Sequence, residues 1–399
     1  MYFTPILPID IKGNIDQELL SLAEEVCIKS ATLGGAHNTH IINSIKDLLR
    51  KTNSYYSNKI ESEGTHPIDI EKAMRKDFSS NEYEKKLQLL SLAHIDVQKY
   101  IENSLSNKEN INIYTQEFIL NLHKEFYTKE GMDKFLDINY ENKHVNMVPG
   151  TLRENDVYIG KHIAPKFSEL DMLMTHFQNE YSKAYKQSTK ALKLLYALSS
   201  HHRLVWVHPF LDGNGRISRL FLDASLQDIK LDGYGLWNIS RGLARNSDEY
   251  KKHLALADMK LQSAIDGRGP LSLRGLSYYL KYMLETALDQ IAFMSKNLQL
   301  NLLGNRIEKF VMLSEEEMLN IKPLPKYAST LFKELLIHGE IPRGKVQNII
   351  NKSDRTATTL IKTLIEMDYL ESDTPKSAIR LKLNAGFASY LLPDLIPNR

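Results

Sequence analysis

Residues 208–219 read His-Pro-Phe-Leu-Asp-Gly-Asn-Gly-Arg-Ile-Ser-Arg, and this stretch restricts the fold of the 399-residue chain more tightly than any other. Gly213 and Gly215 lack a Cβ, so the backbone can turn sharply and approach a ligand closely. Ile217, Leu220, Phe221 and Ala224 then recur at helical spacing. The turn therefore opens a helix, whose free N–H groups and positive dipole end attract phosphate. Arg216 and Arg219 share one face of its first turns. Asp212 is a hard oxygen donor suited to Mg²⁺ that also touches phosphate oxygens. His208, ahead of the turn, is placed to take a proton from an incoming hydroxyl. A Gly-x-Gly alone is commonly just a turn. A lone His at a helix end is commonly a structural hydrogen-bonder. The weight lies in the whole string at fixed spacing, which is a set of parts for handling a nucleotide triphosphate.

Composition sets the frame. The length allows two or three domains, and 42% hydrophobic with 25% charged residues is ordinary for a soluble globular protein. A net charge of +2 over the whole chain argues neither for nor against a polyanionic partner. Cys27, the single cysteine, can form no internal disulfide and excludes Cys-based zinc clusters. Residues 1–10 lack a basic region followed by a long apolar run, so no signal peptide is expected. No apolar run approaches the roughly twenty residues needed to span a bilayer. The simplest reading is a cytoplasmic protein with no membrane partner.

Periodicity predicts helices at Glu18–Ile28 (interrupted at Gly34-Gly35), Ile42–Leu49, Leu87–Ile101, 115–128, 170–186 and 189–203. Val145–His162 holds Pro149-Gly150 and an alternating Val157-Tyr158-Ile159 bounded by Gly160, a pattern that suits a short hairpin. Gly267–Pro270 marks a break before a long helix over Leu273–Ser295, and Ile321–Pro325 reads as a linker. Beyond it come helices at Ala328–Leu336 and Gly344–Asn351, a third capped by Ser353 and running to about Met367, and strand-like runs at Tyr369–Glu371 and Ala378–Leu383. That is winged-helix order. From Asn320 onward there are 12 Lys/Arg against 8 Asp/Glu, a net of +4, which is no strong nucleic-acid footprint. The expected division is a helical region over 1–110, a catalytic domain over 111–265, connecting helices over 266–319 and a winged-helix-like module over 320–399.

The 208–219 string resembles the signature of Fic-domain proteins, His-x-Phe-x-Asp/Glu-Gly-Asn-Gly-Arg-x-x-Arg, and every defined position is present. The resemblance implies a mainly α fold: a helical Fic domain with a small β-hairpin flap, here followed by a winged-helix (α+β) domain. It implies transfer of AMP from ATP to a Ser, Thr or Tyr hydroxyl of a protein, with ATP and Mg²⁺ as cofactors. By resemblance, His208 deprotonates the target hydroxyl and Phe210 points into the core to hold the loop. Asp212 binds Mg²⁺. Gly213, Asn214, Gly215, Arg216 and Arg219 hold the phosphates. Attack at the α-phosphorus with pyrophosphate leaving asks mainly for positioning and charge stabilisation. The Walker pattern is absent, so an ordinary P-loop enzyme is not expected.

Three further segments matter. Ser57-Asn-Lys-Ile-Glu61 resembles the family's inhibitory motif, Ser/Thr-x-x-x-Glu-Gly/Asn, with Ser62 in place of Gly or Asn. A carboxylate at Glu61 paired with Arg219 would take the place of the ATP γ-phosphate; the plainer reading is a solvated loop carboxylate. Val148–Gly160 resembles the flap, with Val157, Tyr158 and Ile159 offered to the target's main chain by β-augmentation. Tyr250, in the segment after the motif, is a candidate to stack on adenine or simply to pack. His201, His202 and His208 do not have zinc-site spacing. Two other functions stay open: an enzyme that also removes AMP, with Glu61 positioning water, and a nucleotide-sensing regulator whose winged helix binds DNA. A homodimer is a further open partner.

Overall fold

The computed structural model describes residues 15–107, 111–140, 143–159, 162–187, 189–263, 265–266 and 269–397. Residues 1–10, on which the signal-peptide reading rests, lie outside these, as do Gly160 and Gly267. The fold is mainly α with small antiparallel sheets. Polar caps set the helix starts, because a side-chain oxygen there satisfies an N–H that has no intrahelical partner. Asp16 opens α1 (Gln17–Gly35), accepting from Glu18 N at 3.0 Å. Asn38 opens α2 (Thr39–Ile60), accepting from Ile41 N at 2.9 Å. Helices α3 (Pro67–Met74) and α4 (Glu82–Asn107) follow. Thr115 caps α5 (Gln116–Tyr127) through Phe118 N at 3.2 Å.

Two hairpins come next, where the sequence pattern suggests one. Strands β1 (Asp137–Tyr140) and β2 (Lys143–Asn146) form the first, with Ile138 opposite Val145. Strands β3 (Tyr158–Ile159) and β4 (His162–Ile163) form the second, with Tyr158 opposite Ile163 and Ile159 opposite His162. Val145 thus belongs to the earlier hairpin. Pro149-Gly150 lies in the connection between the two hairpins, outside both turns, because Gly150 N–H donates to the buried His123 Nδ1 at 2.9 Å.

Helices α6 (Leu170–Tyr181), α7 (Lys190–Val207) and α8 (Asn214–Asp228) build the centre. Helix α8 packs against α7, α4, α5 and α2, and Ile217, Leu220, Phe221 and Ala224 are at most 1% exposed. Its apolar stripe therefore faces a complete ring of helices. Helices α9 (Ile239–Arg245), α10 (Ser247–Ala257), α11 (Leu273–Asn297) and α12 (Leu300–Glu315) wrap the outside, with α11 against α1 and α10.

Helix α2 runs eleven residues past Leu49, where its apolar periodicity stops. The continuation is buried through polar bonds instead: Asn53 Nδ2 donates to Gln98 Oε1 at 3.1 Å, Ser54 Oγ donates to the Ser91 carbonyl at 2.9 Å, and Lys51 pairs with Glu71. A hydrophobic period cannot reveal such a face, because part of its burial rests on directional polar bonds.

The C-terminal part runs α13 (Ala328–His338), β5 (Glu340–Ile341), α14 (Val346–Ile350), α15 (Asp354–Glu366), β6 (Leu370–Glu371), β7 (Ile379–Leu381) and α16 (Ala385–Leu391). Its sheet has the order β5-β7-β6. It rests on α2 and α9: Ser44 Oγ donates to the Leu381 carbonyl at 3.0 Å, Tyr56 Oη to the Leu395 carbonyl at 3.0 Å, and Arg241 Nη2 to the Asp394 carbonyl at 2.9 Å. Among the described residues no helix is long and apolar enough to cross a membrane.

Candidate active site

The site is the junction of α7 and α8. Helix α7 ends on His208, whose backbone is left-handed at φ 50°. Such a conformation is uncommon outside glycine, though His tolerates it better than most residues. Its N–H still donates to the Leu204 carbonyl at 3.1 Å. Burial pushes the His208 imidazole down to about 4, with the neighbouring His162 adding to the effect, so the ring is neutral near pH 7. One ring nitrogen bonds to the Val205 carbonyl. A proton given to that carbonyl leaves the other nitrogen as an acceptor, the form a general base needs.

Phe210 is 1% exposed and stacks on His123, with centroids 4.0 Å apart and planes at 14°. Asn214 does not point into the site as a phosphate holder. Its Oδ1 accepts from Phe210 N–H at 2.9 Å and its Nδ2 donates to the Phe210 carbonyl at 2.8 Å. The amide is a staple across the loop. Gly213 begins α8 at φ 80° with no side chain capping the first turn. A Cβ on Gly213 would collide with the Tyr127 hydroxyl. That hydroxyl donates to Asp212 Oδ2 at 3.1 Å, holding a carboxylate that keeps part of its surface in solvent.

The first turns of α8 carry two nearly buried guanidinium groups, and two carboxylates from the end of α2 face them. Arg219 Nη2 donates to Glu61 Oε1 at 2.7 Å, and to the Ser57 carbonyl at 2.9 Å. Arg219 Nε donates to Ser57 Oγ at 2.9 Å. Arg216 pairs with Glu63, and Asp212 Oδ2 lies 3.5 Å from its Nη2. Glu61 Oε1 sits so close over Gly215 that a Cβ there would collide with it. Burial pushes the Glu61 carboxyl toward its protonated form, but the Arg219 guanidinium outweighs this and the net shift is downward. The carboxylate therefore lies as an anion on the phosphate-attracting end of α8.

The turn that presents it has a recognisable geometry. Ser62 N–H donates to the Lys59 carbonyl at 2.9 Å and Glu63 N–H to the Asn58 carbonyl at 2.9 Å. This is a Schellman termination, which needs a left-handed residue after the cap. Ser62 is that residue, at φ 66°. Gly or Asn takes this conformation at less cost than Ser. Glu63, absent from the sequence reading, is brought to Arg216 by the same turn. A second acidic residue two positions after Glu61 was its only signal.

Tyr250 is 2% exposed, with its hydroxyl 2.8 Å from His201 Nε2. It is buried, its ring near-parallel to that of His201, and offers no open face for adenine to stack on. Val157 is also buried, whereas Tyr158 and Ile163 are 68% and 73% exposed. The outward apolar pair of the flap is therefore Tyr158 with Ile163, and Val157 anchors it. Arg153, which no local signal marks, joins the flap to the site: its Nε donates to the His208 carbonyl at 2.8 Å and its Nη1 to the Asn155 carbonyl at 2.6 Å.

Residues 113–226 match the family model described as Fic/DOC family. The chain is 35% identical over 129 residues to the protein adenylyltransferase Fic of Drosophila willistoni, covering 32% of this chain and 22% of that protein. It is 33% identical over 129 residues to the same-named protein of Aedes aegypti, with the same coverage. The match thus spans about a fifth of the length of these curated relatives. A Fic family protein from Desulfovibrio desulfuricans shares the fold with a TM-score of 0.52 at 14% identity, over 92% of this chain and 97% of that one. A Fic domain containing signaling protein from Bacteroides thetaiotaomicron does so with a TM-score of 0.52 at 18% identity, over 69% and 96%.

Two outcomes are expected from this arrangement. Ser62→Gly should stabilise the protein by up to about 1 kcal/mol, because glycine adopts the left-handed turn without the Cβ penalty. Urea unfolding checks this, and a loss of stability would remove the conformational argument. The second concerns pH. His94, His123 and His201 are buried, and burial lowers them to about 3, 4 and 3. Between the ordinary value of 6.5 and these lowered ones the unfolded chain binds more protons than the folded one. Stability should be fully present above pH 6.5 and fall as pH drops toward 4, by up to about 1.4 kcal/mol per pH unit for each histidine. A flat unfolding free energy between pH 7 and 5 would contradict it.

Proposed function

We propose, from the match of residues 113–226 to the Fic/DOC family, that this chain transfers AMP from ATP to a hydroxyl of a protein target and that Glu61 restrains the reaction. The observation that carries the reading is the Glu61 carboxylate on the uncapped end of α8, bonded to Arg219 at 2.7 Å. An anion already fills the place that the motif prepares for a phosphate.

In this reading the neutral His208 takes the proton of the target hydroxyl as its oxygen attacks the α-phosphorus. Pyrophosphate departs toward the N–H groups of the α8 turn and the guanidinium groups of Arg216 and Arg219, which neutralise developing charge. Asn214 keeps the loop in shape through both bonds to Phe210. Asp212, partly exposed and oriented by the Tyr127 hydroxyl, suits a single-carboxylate Mg²⁺ site completed by phosphate oxygens and water. Mg²⁺ bound there would neutralise charge on the phosphates. Tyr158 and Ile163 would meet the target's main chain beside the exposed hairpin edge. Glu63 adds a second restraint by engaging Arg216, so both cations needed by the nucleotide are occupied together. The C-terminal order of helices and strands supports reading residues 320–397 as a winged helix, whose contacts here are to α2 and α9 of the same chain.

The sign of one substitution tests the restraint. Glu61→Gly should raise auto-AMPylation from labelled ATP at least about tenfold, since it frees a transition-state cation. Adding His208→Ala should silence the released enzyme. An unchanged rate in folded, ATP-binding Glu61→Gly protein would leave Glu61 a structural partner of Arg219. For the metal, Asp212→Ala should weaken binding of Mg·ATP much more than binding of metal-free ATP by calorimetry. Equal losses would contradict coordination by Asp212.

A further inference from the structure

His162 belongs to the flap, in β4 opposite Ile159, yet both of its ring nitrogens are engaged outside the flap. Nε2 lies 3.0 Å from the Trp206 carbonyl, in the last turn of α7 and two residues before His208. Nδ1 lies 3.1 Å from Asp258 Oδ2, at the end of α10. The other oxygen of that carboxylate, Oδ1, is 3.0 Å from Nε2 of the fully buried His202. His202 Nδ1 in turn accepts from Arg203 Nη1 at 2.8 Å. Asp258 is thus shared between an interior helix and a surface hairpin. The His162 and His208 rings are 6.4 Å apart, centroid to centroid.

We propose that His162 is a positioning residue that fixes the distance between the target-docking strand and the base at His208. This rests on the adenylyl-transfer reading above. The physical reason is that a two-stranded hairpin of two residues per strand has too little hydrogen bonding to hold itself. Arg153 secures its stem, bonding the Asn155 and Pro165 carbonyls. His162 secures its arm, to the same turn of α7 that presents the base. Because Ile159 pairs with His162, and Tyr158 with the next residue, pinning His162 pins the strand that would bind the target. Both contacts are to acceptors, so a neutral ring donates at one of them and an imidazolium, paired with the Asp258 carboxylate, donates at both; in either form the ring ties the arm to α7 or α10. Misplacing a reacting hydroxyl by about 1 Å can cost about a hundredfold in rate, so a freed arm is expensive even when ATP is held normally.

The test uses the full chain with Glu61→Gly, comparing His162, His162→Ala and His162→Gln. Two readouts are taken: amide hydrogen exchange by mass spectrometry, and labelled AMP incorporation with the apparent KM for ATP. In His162→Ala, exchange over residues 157–163 should rise about tenfold while α8 is unaffected. AMP incorporation at saturating ATP should fall at least about tenfold with the KM for ATP unchanged. His162→Gln, which keeps one N–H for the Trp206 carbonyl, should fall between the two in both readouts. Unchanged flap exchange in His162→Ala overturns the anchor. A freed flap with full AMP incorporation overturns the positioning role. Exchange rising equally in α8 shows a general structural residue and also overturns it. If the Glu61→Gly protein is folded but transfers no AMP, the functional reading fails, and with it the positioning role, while the exchange data still decide whether His162 anchors the flap.

Discussion

Two guanidinium groups lie nearly buried on the first turns of one helix, and much of the site follows from the need to neutralise them. Arg216 and Arg219 are about 5% exposed or less. An unpaired buried cation is costly, so the structure must either bring anions to them or leave them for a ligand. Here the end of α2 supplies both anions through a single turn. The helix dipole of α8 adds to the same demand, since its N-terminal N–H groups have no side-chain cap. A nucleotide's phosphates and the Glu61–Glu63 pair would satisfy one charge requirement, and they cannot both do so. The proposed restraint is therefore a competition between two anions for one cationic helix end.

That competition depends on where α2 ends, and the ending is held from several sides. The left-handed turn at Ser62 fixes the direction of both carboxylates. Ser57 ties the last turn of the helix to Arg219 through its hydroxyl and its carbonyl. Behind them, Tyr56 and His66 flank the turn in sequence and bond the Leu395 and Pro397 carbonyls. The C-terminal part of the chain is thereby packed against the segment that faces the arginines. The polar interior of α2, with its bonds to α4, makes this a helix whose position is specified by directional contacts as well as by apolar packing.

The other half of the site is a matter of fastening loops to helices. Asn214 closes the 210–214 loop on itself, Tyr127 orients Asp212, and Arg153 and His162 fasten the flap to the end of α7. These four side chains come from four separate stretches of sequence. Asn214 bonds within its own loop, whereas Tyr127, Arg153 and His162 bond across to other segments.

What the sequence determined by itself was local. The string 208–219 carried its own turn, helix start and charge pattern, because glycine conformation, helix spacing and side-chain chemistry act over a few residues. The mainly helical class and most helix cores were legible for the same reason, and Glu61 was legible through a short motif that ends a helix. What only the tertiary structure decided was which of these residues face one another. Tyr250 and Val157 turned inward, and Asn214 spent its amide on its own loop, because burial and hydrogen-bond saturation are set by neighbours distant in sequence. Glu63, Arg153, His162 and Asp258 carried no periodicity or motif that marks a site. They entered it because buried charges and unpaired polar groups recruit partners by distance in space, and a linear pattern holds no record of that distance.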